Sequence, residues 1–322
     1  MNELVSILIP VYNRESLIAE TLDSALAQTY SNIEVVVVDN SSTDDTWEII
    51  QSYAQKDSRV RAFRNRDNIG PVKNWRRCID EAKGYYGKIL WSDDLIANAF
   101  LEKTLPLFKD DVAFVYTSTK IFSVEKEKGV KAYYSLPRTG HYPIAHYVEG
   151  VLYSGDMPVS PGCAVFRMED LRQNLLVDVP NKVNSDFAMH AIGNDVLTFL
   201  LTSRYYQKFG FVKEYLSYFR AHEGSISESS GTGRLPLHYA LAKAYFVENY
   251  YPSHKPRFSA YVQLLLMKYR RHHQFGDGKV SDFFHEEYRV SPSYLVWLVI
   301  LKLLKIPVRF GRRLKRLPFQ SG

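Results

Sequence analysis

Cysteine is almost missing from this chain of 322 residues: only Cys78 and Cys163 occur, far apart and in no metal-type spacing. A disulfide framework and a zinc site are therefore not expected, and a reducing compartment is favoured. Glycine-rich phosphate loops are missing too. No Gly-x-Gly-x-x-Gly follows the first apolar run, and no Gly-x-x-x-x-Gly-Lys-Ser/Thr stands anywhere, so dinucleotide enzymes and P-loop nucleotidases drop away. Long hydrophobic runs are equally scarce. The longest, residues 294–304, contains Lys302 and falls short of the ~20 residues that a spanning helix needs. The first residues carry no basic stretch leading into a cleavable apolar segment, and no secretory signal is expected. Acidic residues vanish after Glu287, whereas Arg289, Lys302, Lys305, Arg309, Arg312, Arg313, Lys315 and Arg316 follow. The formal net charge of +6 thus belongs to a tail. With 24% charged and 46% hydrophobic residues, the chain has a globular composition.

What is present alternates between two periods. Residues 5–9 form a short apolar run ended by Pro10, and residues 33–38 a second, β-branched run ending at Asp39. Such unbroken runs mark strands buried on both faces. Between them Leu17, Ile18, Leu22, Ala25 and Leu26 fall on one helical stripe. A helix carrying Trp47, Ile49, Ile50 and Tyr53 leads to a third strand over 60–64. Pro71 opens the next helix at a position where its missing N–H costs nothing, with Val72, Trp75, Ile79 and Ala82 on the buried side. Residues 89–91 are a fourth strand and 112–117 a fifth. Regular alternation with short polar connections predicts an α/β fold, a mainly parallel sheet wound with helices.

The later chain reads less regularly. Residues 125–153 are read as loops covering the ligand edge of the sheet, residues 163–166 as a short strand, and 211–220 as a strand pair. A helical run opens at Asp195. The serine- and glycine-rich stretch 227–233 predicts a boundary between a domain over 1–228 and a helical extension over 229–322. Within that extension 237–251, 257–271 and 291–304 read as helices.

The densest chemistry lies in Lys88-Ile89-Leu90-Trp91-Ser92-Asp93-Asp94-Leu95, where an apolar run delivers two adjacent carboxylates to a strand end. Two like charges side by side are unfavourable unless a cation or water compensates them. At the carboxyl end of a parallel strand, where open α/β sheets bind ligands, Asp93 and Asp94 are read as holding Mg²⁺ or Mn²⁺ against a nucleotide diphosphate. The alternative is that Asp94 caps the following helix.

In order and spacing the chain resembles the inverting glycosyltransferases of family 2, whose fold is called GT-A. The matching pieces are Val5-Ser6-Ile7-Leu8-Ile9-Pro10-Val11-Tyr12-Asn13-Arg14, Glu34-Val35-Val36-Val37-Val38-Asp39-Asn40-Ser41-Ser42-Thr43-Asp44, Asn68-Ile69-Gly70, Ser92-Asp93-Asp94, and Tyr218-Phe219-Arg220-Ala221-His222-Glu223-Gly224-Ser225-Ile226-Ser227. The resemblance spans about residues 1–230. It implies a Rossmann-like GT-A domain, a nucleotide-sugar donor and a divalent cation. Carried over, Pro10, Val11, Tyr12, Asn13 and Asp39 grip the base and ribose, Tyr12 by stacking and Asp39 by accepting a base N–H. Asn68 and Gly70 close over the donor. Asp93 and Asp94 hold the metal, Asp93 also reaching the donor, and His222 completes the shell.

Two departures stand out. Many members read Asp-x-Asp-Asp at the metal site, whereas Trp91 occupies the first position here. The family base sits near the start of a helix, often after Glu, and Asn194-Asp195 fits with Asn in that place. Asp195 is thus the expected base, with Asp186 as second candidate.

The tail pairs Tyr294, Leu295, Trp297, Leu298, Leu301, Leu304 and Ile306 with lysines and a basic end, as an anchor on an anionic leaflet does. The alternative is a packing helix with a solvated basic end. Nothing resembles a helix or platform that reads nucleic acid. The whole predicts a UDP- or dTDP-sugar-dependent inverting transferase, acting on a glycan or lipid-linked glycan acceptor at the cytosolic membrane face, in surface polysaccharide or lipopolysaccharide assembly. A membrane-associated nucleotide-sugar-binding or scaffold protein without turnover is the alternative.

Overall fold

Seven consecutive buried residues make β1 (Val5–Val11), and seven more make β2 (Ile33–Asp39). Their side chains divide between two cores as the two-residue period of a strand requires. Ile7, Ile9, Val35 and Val37 enter one cluster, and Leu8, Val36 and Val38 the other. Helices α1 (Ile18–Leu26) and α2 (Thr46–Lys56) cover the first face. Between β3 (Val60–Arg64) and β4 (Tyr86–Ile89), helix α3 (Pro71–Glu81) covers the second. The computed structural model describes residues 2–123, 131–221, 233–270, 277–286, 290 and 292–300.

All pairings in the order β3-β2-β1-β4 are parallel. The chain therefore winds outward from β1 in both directions, and the crevice at such a reversal is where open α/β sheets take ligands. Pairing of β1 with β4 ends at Leu8↔Ile89, whereas pairing with β2 runs on to Val11↔Asp39. The β4 chain so leaves β1 early and opens that crevice. The first strand does not end at Pro10 as its sequence predicts. It includes Pro10, which lies past the level of the last β4 partner, where a missing N–H breaks no ladder on that side.

Next in the chain come β5 (Leu95–Ile96), α4 (Phe100–Thr104), β6 (Val112–Phe122), β7 (Lys131–Tyr133), β8 (Gly140–Pro143), α5 (Ile144–Leu152), β9 (Ala164–Arg167) and α6 (Met168–Asn174). The stretch predicted to be loops over 125–153 thus holds two short strands and a helix within its described part. Aromatic and polar residues there alternate too briefly for the period to register. After α7 (Phe187–His190) and α8 (Asn194–Ser203), residues 208–220 form one long strand, β10 (Lys208–Arg220), not a pair. Its register against β6 shifts between Lys208 and Gly210 and again across 212–217. Bulges of this kind break the in-out alternation, so the sequence imitates a turn.

The second half of the sheet, β9-β6-β10-β5, is mixed. Strand β9 is antiparallel to both β4 and β6, and β10 is parallel to β6. Strands β4, β6 and β10 therefore point one way and end along one edge. Above them α8 is buried at every residue; Phe199 packs against Phe114 and Phe166. Helix α9 (Arg234–Tyr250), followed by α10 (Lys255–Lys268), adds Leu237, Leu241 and Phe246 to the same cluster as α3 and α8.

Candidate active site

The loops after β1 and β2 are tied together by Asn13. Its backbone sits at φ 49°, a left-handed conformation that Asn tolerates because its side chain bonds locally. Here Oδ1 accepts from the Thr43 N–H at 2.9 Å, and its own N–H donates to Ser42 Oγ at 2.9 Å. Tyr12, beside it, is 41% exposed at the strand end. Pro10 and Val11 are buried strand residues. Asp39 is fully buried, accepts from the Ser42 N–H at 3.1 Å and from the Ser42 hydroxyl, and is ion-paired with Arg64, whose Nε lies 3.1 Å away. Among the described residues only these two groups of Ser42 donate to it, which leaves room on a carboxylate with about four lone-pair sites.

Asparagines organise the next part of the rim. Asn40 donates to Asn68 Oδ1 at 2.8 Å and accepts from Asn65 Nδ2 at 2.8 Å and from the Ile69 N–H at 3.0 Å. Asn65 Nδ2 also reaches Asn74 Oδ1 at 2.9 Å, and Asn74 donates to the Val38 carbonyl at 2.9 Å. Asn carries both donor and acceptor, so a chain of such side chains can be mutually satisfied without charge. Asn65 and Asn74 were not legible as site residues, because isolated asparagines give no spacing signal. The chain ends at Gly70, whose N–H donates to Asn68 Oδ1 at 3.0 Å.

At the end of β4 the two carboxylates differ. Asp94 is buried, and its Oδ1 accepts the backbone N–H of Arg220 at 2.9 Å. Burial first, and the neighbouring Asp93 second, push its carboxyl well above the usual range. Asp93 is partly exposed. The Arg220 guanidinium does not bond the Asp94 carboxylate; it donates to the Asp93 carbonyl at 3.0 Å and pairs with Glu20. Lys88, wholly buried within β4, donates to the carbonyls of Ile89 at 2.9 Å and of Gly162. Burial lowers its ammonium to about 7, against the pull of Cys163 and Asp94. Trp91, at the position where the family resemblance implies a carboxylate, turns into the fold. Its indole N–H donates to Ser160 Oγ at 2.9 Å, and its ring tilts against Trp75 with centroids 4.7 Å apart.

Asp195 lies at the start of α8, 8% exposed. Oδ1 accepts from the Gly193 N–H at 3.1 Å and the Val196 N–H at 2.8 Å, and Oδ2 from the Tyr239 hydroxyl at 2.6 Å. Burial raises its carboxyl to about 6 despite those three donors. Its neighbour Asn194 is fully buried and donates to the carbonyls of Leu176 at 2.9 Å and Val177 at 3.1 Å. An ionised Glu has no N–H to give there, which is a physical reason for the departure from the family pattern. Asp186 is exposed and accepts the Met189 N–H at 3.1 Å as the cap of α7. His222 lies outside the described residues.

A hard divalent cation takes oxygen ligands, and Mg²⁺ characteristically uses one or two carboxylates with water and substrate phosphate. The adjacent oxygens of Asp93 and Asp94 fit that chemistry, since Asp94 is desolvated beside a like charge and no side-chain cation among the described residues is bonded to it. Among the described residues no group of three or more His, Cys, Asp or Glu side chains is gathered around one point. Any metal there would complete its shell from water, substrate or residues outside the described ones.

A parallel sheet wound outward from β1, with an acidic loop at its reversal point, defines the class of open α/β proteins that take ligands at the carboxyl ends of their strands. Residues 6–175 match the family described as Glycosyl transferase family 2, more than half of the chain, and the chain belongs to that family. Over 102 residues it is 43% identical to an uncharacterized glycosyltransferase of Haemophilus influenzae, covering 32% of this chain and 41% of that one. Over 140 residues it is 36% identical to the Escherichia coli UDP-Glc:alpha-D-GlcNAc-diphosphoundecaprenol beta-1,3-glucosyltransferase WfaP, covering 44% of this chain and 54% of that one. The match thus spans about half the length of these curated relatives. Residues 1–349 of Staphylococcus aureus TarS, solved in complex with UDP-GlcNAc, superpose with a TM-score of 0.62 at 20% identity, over 83% of this chain and 73% of that one. The fold is GT-A, as the sequence resemblance implied.

Proposed function

We propose that the chain transfers one sugar, with inversion, from a UDP- or dTDP-linked donor to an acceptor hydroxyl in the assembly of surface polysaccharide or lipopolysaccharide. The observation that carries this reading is the pair of adjacent carboxylates after β4, a buried Asp94 beside a partly exposed Asp93, placed at the sheet's reversal point. The name of the Escherichia coli relative supports a UDP-sugar donor and a lipid-linked acceptor.

In this reading Pro10, Val11, Tyr12 and Asn13 shape the base pocket. The exposed ring of Tyr12 stacks on the base, and Asp39 accepts a base N–H with its remaining lone pair. Asn68 and Gly70 flank the donor through the asparagine chain. Asp93 and Asp94 would hold Mn²⁺ or Mg²⁺, which when bound compensates charge on a leaving diphosphate; His222 is the remaining protein ligand proposed. Asp195 takes the proton of the acceptor hydroxyl as the acceptor oxygen bonds to the anomeric carbon and the bond from that carbon to the diphosphate oxygen breaks. One displacement inverts the anomeric centre. A placed base of this kind contributes typically ~10²–10⁴-fold, and burial has already moved Asp195 toward the working pH. The domain over 1–228 carries this chemistry, and the extension over 229–322 approaches the cytosolic membrane face through its basic tail. The test is nucleoside diphosphate release from a panel of UDP- and dTDP-sugars with Mn²⁺ or Mg²⁺. Release no faster than the protein-free blank for every donor would end the enzymatic reading.

A further inference from the structure

The expected base is braced by a helix that lies beyond the stretch matching the family. Tyr239 of α9 gives its hydroxyl proton to Asp195 Oδ2 at 2.6 Å, while both lone pairs of Oδ1 are taken by the N–H groups of Gly193 and Val196. A carboxylate has about four lone-pair sites, so among the contacts of the described residues the one site still open is on Oδ2. Lys243 stands four residues after Tyr239, on the same helix face. It is buried, donates to the Val151 carbonyl at 2.7 Å, and its ammonium lies 6.0 Å from the Tyr239 ring centroid. Gly193 makes this approach possible. At φ 113°, a Cβ there would meet the Ala242 Cβ at 2.7 Å. Among the described residues, the hydroxyls of Tyr134 and of Tyr147 on α5 also interact with Asp195. His190 and His238 pack against each other at 4.4 Å, and the His238 carbonyl lies beside Gly193.

We propose that Tyr239 is a positioning residue for sugar transfer: its hydroxyl fixes the Asp195 carboxylate so that the open site on Oδ2 receives the acceptor proton. The proposal rests on Asp195 being the base. Geometry gives Tyr239 this role because it supplies the only side-chain donor that Asp195 has among the described residues. Without it, Oδ2 keeps no fixed partner and a desolvated oxygen is left unpaired, which is unfavourable for the charged form.

The experiment compares the full chain with Asp195→Asn, Tyr239→Phe and Lys243→Met, each first shown to melt cooperatively by circular dichroism. Infrared difference titration, which needs no substrate, reads the carboxyl directly. The native chain shows a carboxyl titrating at about 6 that Asp195→Asn removes. In Tyr239→Phe and in Lys243→Met it titrates at higher pH, since each has lost a group favouring the carboxylate. With UDP-glucose hydrolysis as the activity probe, Tyr239→Phe lowers kcat by roughly ten- to a hundredfold. It leaves KM unchanged and moves the acid limb of kcat/KM upward. An unmoved carboxyl and an unmoved limb in Tyr239→Phe, with Asp195→Asn inactive, overturn the positioning role alone. Asp195→Asn with native turnover overturns the base assignment itself.

Discussion

The backbone N–H of Arg220 donates to Asp94 Oδ1 at 2.9 Å, joining the ends of β10 and β4 across 126 residues of sequence. A neutral backbone donor orients this carboxylate without cancelling its charge. Asp94 is therefore fixed in place by a group that carries no charge of its own.

That arrangement predicts metal-linked nucleotide binding. Asp94→Asn weakens UDP binding in Mn²⁺ by at least about tenfold and leaves the weaker binding in EDTA unchanged. Isothermal calorimetry of both proteins in both buffers checks it. Equal affinity of the native chain with Mn²⁺ and with EDTA would remove the metal from Asp93 and Asp94.

Asp195 predicts an inverted pH dependence of stability. Its carboxyl is raised from the ordinary 3.8 to about 6, so the folded chain holds the proton more tightly than the unfolded chain does. Stability from this group is complete below about pH 4 and is lost as pH rises through about 6, a loss of about 3 kcal/mol. Asp195→Asn should therefore melt a few degrees above the native chain at pH 8, with the gap closing toward pH 4, while transfer activity is abolished. Asp186→Asn, which alters only an exposed cap, keeps most of the activity. A constant melting gap across this range would contradict the buried, ionised state of Asp195 at pH 8.

Gly70 predicts a backbone-limited site. Its φ is 85°, and an added Cβ would meet the Met189 Sδ at 2.6 Å. Gly70→Ala should lower stability by about 1–3 kcal/mol. Met189→Ala in the same chain relieves the contact but not the dihedral, so it restores part of the loss. Full restoration in urea unfolding would show that only the contact mattered.

The tail predicts anionic membrane binding. The helical residues 292–300 leave Val296 58% and Ile300 48% exposed, while Trp297 lies 5.0 Å from the Arg257 guanidinium. Among the described residues no helix is long and apolar enough to cross a membrane. Basic residues near an anionic surface add about 1 kcal/mol each, so the full chain should float with anionic liposomes and a chain ending at residue 290 should not. Equal flotation of the two would remove the tail from membrane binding.

The fold of the first hundred residues was legible because β1, β2 and β4 are buried on both faces and the helices between carry one apolar stripe. Ile33 to Val38 cannot alternate polar and apolar when each face has its own core. Beyond residue 125 the pattern failed where bulges in β10 shifted the register and where β7 and β8 are only three and four residues long. Asp93, Asp94 and Asp195 stood out because carboxylates at the ends of apolar runs are unusual. Tyr239 and Lys243 gave no such sign. On a helix otherwise rich in Ala and Tyr they look like packing residues.

Local sequence determined which segments become strands and helices, and it put an acidic pair at the end of one strand, since periodicity and capping act within a few residues. Tertiary structure alone decided the rest. Whether a carboxylate is solvated, which oxygen keeps a lone pair, and which distant helix supplies its donor depend on what packs against it. Burial of Asp94 and Asp195 is a property of the folded surroundings, so their altered acidity is written nowhere in the chain until β10 and α9 close over them.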